Sequence, residues 1–327
     1  MKSSNYIAES TFNVNLNYAK LQNKTEELFF RCLDEGRDEE YFKKQLEKIW
    51  GKENQQYMEN AIEEYSEMIH EKNIEGKEII EEKNNNALFT LVPLTVVAAL
   101  ENKFKKYKER EYKKSYNSPA YKNDKKEYIK TKLQRYDDEI VPYYKKGTNT
   151  IMRYVQLSTY VSMIHNTNLV RSGWNTTLDD ADSVGQTKFW IPYHPFSCPY
   201  CLSHQNQILT KKDILKMGRK ADKAQGDILH PNCKCEITFY MSDTEFNDPD
   251  YSPSELDEQY KIRQKVNGLT LKKEKVKTQM KIAENANLPD EFDKYNSQRN
   301  QINKEIRELK KALPTASLRK QVVAINR

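Results

Sequence analysis

Residues 187–240 read TKFWIPYHPFSCPYCLSHQNQILTKKDILKMGRKADKAQGDILHPNCKCEITFY, and the fold class of the 327-residue chain turns on this stretch. It holds four of the five cysteines (Cys198, Cys201, Cys233 and Cys235) and three of the five histidines (His194, His204 and His230). Its two ends, 187–193 and 236–240, are aromatic and β-branched and read as strands. A Cys-x-x-Cys turn presents two thiolates to one ion, and a second pair from elsewhere in the chain closes the tetrahedron that Zn²⁺ prefers. Cys233 and Cys235 would point the same way on a regular strand, while Pro231 and Asn232 favour a knuckle-like turn to which His230 can also contribute. Cys198, Cys201, His230, Cys233 and Cys235 are thus five candidates for four places. A zinc ion held by four protein ligands is structural, because no position is left open for water. Its binding free energy then becomes folding free energy for a module with little apolar mass of its own.

Other chemistries ask for residues that are not there. Disulfides are disfavoured in a reducing cytosol, and residues 1–21 contain no apolar core of a secretion signal. Cys198-Pro199-Tyr200-Cys201 is the tetrapeptide of glutaredoxin active sites. That reading needs a βαβ unit and a downstream cis-proline turn, and it leaves Cys233-Lys234-Cys235 unexplained. A zinc deaminase needs Pro before the first cysteine and a His-x-Glu; here Ser197 precedes Cys198 and no His-x-Glu occurs. Gly-rich phosphate loops, His-Glu-x-x-His and Gly-x-Ser-x-Gly are absent. His204 and His230-Pro231-Asn232 are fragments of a His–Asn–His nuclease set without completing it. No catalytic residue is assigned. A non-enzymatic protein is expected, with a zinc-supported DNA-processing nuclease and a glutaredoxin-like thiol oxidoreductase as the alternatives.

Cys198-Pro199-Tyr200-Cys201 followed some 30 residues later by His230-Pro231-Asn232-Cys233-Lys234-Cys235 resembles the bacteriophage minor head proteins of the Mu F-like, minor capsid group. Trp190 fills the position in the leading strand, 205–210 the connecting segment, and Leu229 the apolar position before His230. The resemblance covers about 150–240, and the highly charged 211–227 departs from it. It implies a virion component inside the phage head, associated with the portal protein and other head proteins. Such proteins aid head morphogenesis, and in some phages they accompany the DNA at ejection. It implies no small-molecule substrate.

Outward from the cysteines, composition points to helices. Hydrophobic residues are 37% and charged residues 31% of the chain, and the mean hydropathy is −0.94. Long solvated helices suit that balance better than one large apolar core. The expected fold is mostly α-helical with a small α+β zinc-stabilised module and a C-terminal helical hairpin. The expected order is a helical region (1–148), the Mu F-like zinc-containing module (149–245), the hairpin (246–313) and a tail (314–327). Within it, 150–169 reads as a helix and 171–186 as a polar connection, with Pro142 and Gly147 marking a joint before them. The hairpin opens on a capping box at Ser252-Pro253-Ser254-Glu255 and restarts at Pro289. The most apolar run, 87–100 (ALFTLVPLTVVAAL), is shorter than the roughly 20 residues that span a bilayer. It reads as a buried core helix bent at Pro93, and membrane contact is not expected.

The net charge of +6 conceals a separation. Residues 25–83 carry 18 acidic and 9 basic side chains, and 103–135 carry 13 basic and 4 acidic. A second basic stretch, 261–281, has Glu274 as its one acid. Lys103, Lys105, Lys106, Lys108, Arg110, Lys113 and Lys114 alternate with Tyr107, Tyr112 and Tyr116. This pattern fits non-specific contact with double-stranded DNA. It fits equally a solvated helix whose lysines pair with the acidic N-terminal helices.

Overall fold

The computed structural model describes residues 3–51, 53–80, 89–136, 139–144, 151–194, 197–222, 233–240 and 253–312, and these are mostly helical. The first half runs α1 (Ser3–Glu35), α2 (Glu39–Ile49), α3 (Glu53–Ile74), α4 (Leu94–Tyr116), the short α5 (Pro119–Asn123) and α6 (Lys125–Gln134). A ribbon of β1 (Glu139–Tyr144) and β2 (Ile151–Gln156) leads into α7 (Leu157–Ser183). Then follow β3 (Lys188–Trp190), α8 (Pro199–Leu202), β4 (Ile208–Thr210), α9 (Lys211–Asp222), β5 (Thr238–Phe239), α10 (Pro253–Asn285) and α11 (Pro289–Lys311). Two compact units result, each built from three separated segments. One comprises Met1–Asn13, Gln55–Pro93 and Ser162–Gln264; the other comprises Val14–Asn54, Leu94–Val161 and Lys265–Arg327. The units interleave along the chain, where the sequence suggests a serial division.

In the first unit β3 is the central strand of an antiparallel sheet ordered β4-β3-β5, with Phe189 opposite both Leu209 and Phe239. Both strands expected from the sequence are present in shortened form, and β4 joins them from the connecting segment. Phe189, Leu209, Ile237 and Phe239 share one buried cluster with Leu169, Trp174 and Leu178 of α7, Tyr65 and Ile69 of α3, and Ile7 of α1.

Helix α7 departs most from expectation. It begins at Leu157, because 151–156 form a strand, and it runs on through the polar stretch to Ser183. Ser162, His165, Asn166, Asn168, Arg171, Asn175, Thr177 and Asp180 are all buried on it. Asn166, Asn168, Arg171, Asn175 and Thr177 satisfy backbone that has no regular secondary structure to pair with. Asn175 accepts from Phe89 N–H (2.8 Å) and donates to Phe89 C=O (2.9 Å). Asn168 does the same for Val92, at 2.7 and 2.9 Å, and Arg171 donates to Thr90 C=O between them. Toward α3, Asp180 takes hydrogen bonds from His70 Nδ1 (2.6 Å) and Asn73 Nδ2 (3.1 Å). Each bond removes the desolvation cost of a buried polar group, of order 1–3 kcal/mol when left unpaired. Gly173 lets α3 come close, since a Cβ there would stand 2.5 Å from Cε1 of the buried Tyr65, whose ring stacks on Tyr6.

The apolar run is corrected too. Pro93 bends no helix; it stands immediately before α4, where its missing N–H costs nothing. Phe89–Val92 upstream is a segment without regular secondary structure held by α7, and Leu91 and Val96 are exposed. No helix among the described residues is long and apolar enough to cross a membrane. The side chains of the expected capping box and the tail 314–327 lie outside the described residues, although α10 does start at Pro253.

The second unit is held by rings and ion pairs. Tyr112 stacks on Phe42 at 4.2 Å and meets the edge of Phe29 at 5.4 Å, while its hydroxyl donates to Arg37 C=O. Trp50 leans on Phe104 and donates through Nε1 to Thr25 Oγ1 (3.0 Å). Lys108 and Glu26 form an ion pair with both side chains buried. Helices α10 and α11 are joined by a short turn in which Asn287 takes the left-handed conformation (φ 51°).

Two outcomes check this packing. Gly173→Ala should lower stability by about 1–3 kcal/mol through overpacking against Tyr65. Gly268→Ala at an exposed position of α10, with nothing within 4 Å of the new methyl, should raise it by about 0.5–1 kcal/mol. Urea unfolding of both variants measures the contrast, and equal effects would refute the close approach. His165 is buried, bonds Ser10 Oγ through Nε2 at 2.8 Å, and is held down to about 3 by desolvation. Its folded pKa lies below its unfolded value of about 6.5, so its neutral form favours folding above that pH. The contribution is lost as pH falls from about 6.5 toward 3, and His165→Gln should show a flatter decline of melting temperature across that window.

Candidate metal centre

The two halves of the cysteine motif are brought together by β3, α8 and the segment leading into β5. Cys198 caps α8, with Pro199 at its first turn, and its Sγ accepts from Cys201 N–H at 3.4 Å. Cys233 Sγ likewise accepts from Cys235 N–H at 3.4 Å. Each pair is a turn in which a sulfur receives a backbone N–H two or three residues on, the local geometry of a thiolate knuckle. Cys201 and Cys233 stand 3.8 Å apart, sulfur to sulfur, and Cys201, Cys233 and Cys235 all lie within 4.8 Å of one another. All three are buried, and none of the chain's five cysteines is in a disulfide. These three cysteines could hold a metal ion.

The distances suit the chemistry. Metal–sulfur bonds of about 2.3 Å in a tetrahedron set an edge of about 3.8 Å, the separation found between Cys201 and Cys233. Cys198 lies outside the set of three but is half-buried and hydrogen-bonds the Cys201 thiol. It is therefore the nearest described source of a fourth sulfur. His230 lies outside the described residues, as do Pro231 and Asn232. Without a cation the cluster strongly resists charge. Contacts with the Cys198, Cys233 and Cys235 thiols, then burial, push Cys201 up, and burial first of all pushes Cys235 up. A divalent cation would reverse that balance by holding the sulfurs as thiolates.

Several groups around the sulfurs escaped the sequence reading. His194 Nε2 lies 3.4 Å from Cys235 Sγ, and Gln205 Nε2 donates to the same sulfur at 3.3 Å. Both side chains are buried, and Ser197 ties the pair together by sharing its single hydroxyl hydrogen between His194 C=O (2.6 Å) and Gln205 Oε1 (2.9 Å). The backbone of the second knuckle hangs on α7: Asn166 donates to Cys233 C=O (2.6 Å), Trp174 Nε1 to Cys235 C=O (3.0 Å) and Thr177 to Ile237 C=O (3.5 Å). His194 carried a signal, its place four residues before Cys198. Asn166 and Trp174 carried none, because nothing in their own neighbourhood mentions cysteine. The half-buried Lys234 sits between the two thiols; burial lowers its pKa and the cysteine charges oppose that.

The basic residues grouped by sequence separate in space. Lys108 is not on a surface: it is buried against Glu26, because α1 and α4 pack there and the charge must be matched. Lys105 pairs with Glu47 (2.8 Å) and Lys113 with Glu39 (3.2 Å). Lys103, Lys106, Arg110 and Lys114 remain exposed at steps of three and four along α4, on one stripe. Tyr112, which the interleaved pattern would place at that surface, is fully buried.

No family model, curated protein or solved structure matches the chain.

Chain purified from a reducing cytoplasm should carry one tetrahedral metal ion. Cys201→Ser or Cys233→Ser should reduce metal content to near zero and open 187–240 to proteolysis, with far-ultraviolet helicity largely kept. Cys32→Ser, in the second unit, should leave the metal in place. Metal content should also fall with acid, since protons compete for the sulfurs. Full metal content in the Cys201 and Cys233 variants would refute the site.

Proposed function

We propose that this chain is a tailed-phage minor head protein of the Mu F-like kind, placed inside the capsid beside the portal, with a structural zinc ion in its cysteine module. The observation that carries the reading is the convergence of Cys201 with Cys233 and Cys235 across some 30 residues of sequence. The two halves of the motif act as one site, as the resemblance requires. Zinc is the ion of choice because a buried all-sulfur set with sulfur–sulfur edges near 3.8 Å fits its size and softness. Cys198, Cys201, Cys233 and Cys235 would hold it, with His194 and Gln205 donating N–H to Cys235 as outer partners. When bound, the ion supplies cross-linking between β3, α8 and β5, and no chemistry at substrate. The oxidoreductase alternative asks for a parallel βαβ frame, whereas the described sheet around the motif is antiparallel.

Within this reading the exposed stripe Lys103, Lys106, Arg110 and Lys114 gives non-specific contact with packaged DNA. Four phosphate contacts give a slope of log affinity against log salt of about −3 to −4, and replacing all four by Gln should remove most of it. Mass spectrometry of purified, DNA-filled particles of the phage encoding the chain tests its placement. Its peptides should appear there at a few copies per portal. Their absence from filled and empty heads alike would overturn the proposal.

A further inference from the structure

The second unit contains a cavity of about 250 Å³ that neither the metal centre nor the α4 stripe uses. It opens between α1, α4 and α6, and its walls are rings: Phe29 and Phe30 from α1, Tyr107 from α4, and Tyr128 and Tyr136 from α6 and the residues after it. Three cations and two carboxylates complete the lining. Both carboxylates are already matched: Glu26 by Lys108 in the buried pair, and Glu111 by Lys132 at 3.4 Å. Lys132 also stands over the Phe29 ring at 5.4 Å. Arg135 is different. It is exposed at the end of α6 and has no ion pair among the described residues.

A cavity of this size, close to the lower bound of small-molecule sites, takes one flat ring system and what is attached to it. Aromatic walls favour a planar ring, because stacking is available on whichever face enters. The uncompensated guanidinium favours an anion with oxygens in a fork, which for a ring-bearing ligand means a phosphate. Thr131 adds a hydroxyl suited to the polar edge of a base. We infer that this cavity is a binding site for a nucleoside 5′-monophosphate unit, with the base among the rings and the phosphate on Arg135. The unit is either a free nucleotide or the phosphorylated end of a strand. The inference rests on the second unit alone, and it stands or falls separately from the metal centre and the virion assignment.

The test is calorimetric titration of the full chain with 2′-deoxyadenosine 5′-monophosphate, deoxyadenosine and inorganic phosphate. A 5′-phosphorylated octadeoxyadenylate and its 5′-hydroxyl counterpart are titrated alongside. The monophosphate should bind at least about tenfold more tightly than deoxyadenosine or phosphate alone. Arg135→Gln should weaken it about tenfold or more, Arg135→Lys about three- to fivefold, and Tyr128→Leu about five- to tenfold. Lys44→Gln, exposed on α2 and outside both the cavity and the α4 stripe, should leave it unchanged. If the natural ligand is a strand end, the phosphorylated octamer binds as tightly as the mononucleotide and the hydroxyl-ended one does not. If it is a free nucleotide, the two octamers behave alike and neither displaces the monophosphate. Thermal melting verifies that each variant is folded, and Arg135→Lys carries the test should Arg135→Gln fail to fold. No binding of the monophosphate or of the phosphorylated octamer at millimolar concentration would overturn the inference. So would binding unchanged in folded Arg135 and Tyr128 variants.

Discussion

Buried backbone must be paired, and in the first unit a single helix does much of the pairing. Phe89–Val92 and Cys233–Ile237 are pieces of chain without regular secondary structure; Cys233–Ile237 is mostly buried and Phe89–Val92 enters the interior at Phe89, where an unmatched N–H or C=O is costly. Helix α7 meets them with side-chain amides, a guanidinium, an indole N–H and a hydroxyl. A carboxamide is well suited to this, since it offers an acceptor and a donor side by side, as a neighbouring strand would. The arrangement makes the position of the second cysteine knuckle a consequence of α7. Asn166 fixes Cys233 and Trp174 fixes Cys235, while Thr11 of α1 fixes Asn166 in turn at 3.1 Å. Moving any of these groups would leave a buried polar atom without a partner, so the geometry is steeply defined.

Upon that frame the cysteines form one site out of two short turns. Neither turn could gather more than two sulfurs, and a tetrahedral ion needs donors from both. Three of the sulfurs, those of Cys201, Cys233 and Cys235, are embedded in the same buried cluster as Trp174, Phe189 and Phe239, so an ion held there would reinforce the apolar core. Burial and mutual contact hold the thiols protonated in the absence of a cation. A cation that displaces those protons therefore acts on the whole sheet, and its free energy is folding free energy.

The second unit solves a different problem. A chain with nearly a third of its residues charged must place ions wherever helices meet, and it does so by matching them: Lys108 with Glu26, Lys105 with Glu47, Lys113 with Glu39. Part of the opposition between the acidic and basic blocks is consumed within the molecule. Among the exposed cations that remain are a stripe of four on α4 and Arg135 beside a ring-lined cavity.

By itself the sequence determined the helical class, the two strands flanking the cysteines, the helix restart at Pro289, and the membership of Cys201, Cys233 and Cys235 in one cluster. Each of these depends on local chemistry: residue propensity, a proline that suits the first turn of a helix, thiols at short spacing. Tertiary structure alone decided that the polar stretch 171–186 belongs almost wholly to a buried helix, because its Asn, Thr and Asp side chains find partners distant in sequence. It also decided that 151–156 is a strand rather than the start of that helix, through pairing with 139–144. The same holds for Pro93, whose role depends on where Phe89–Val92 is held, and for Lys108, whose burial depends on Glu26 lying across from it. Hydrophobic periodicity assumes that polar means exposed. That assumption fails wherever a long-range hydrogen bond or ion pair satisfies a buried polar side chain, and the partner is set by the fold rather than by the neighbouring residues.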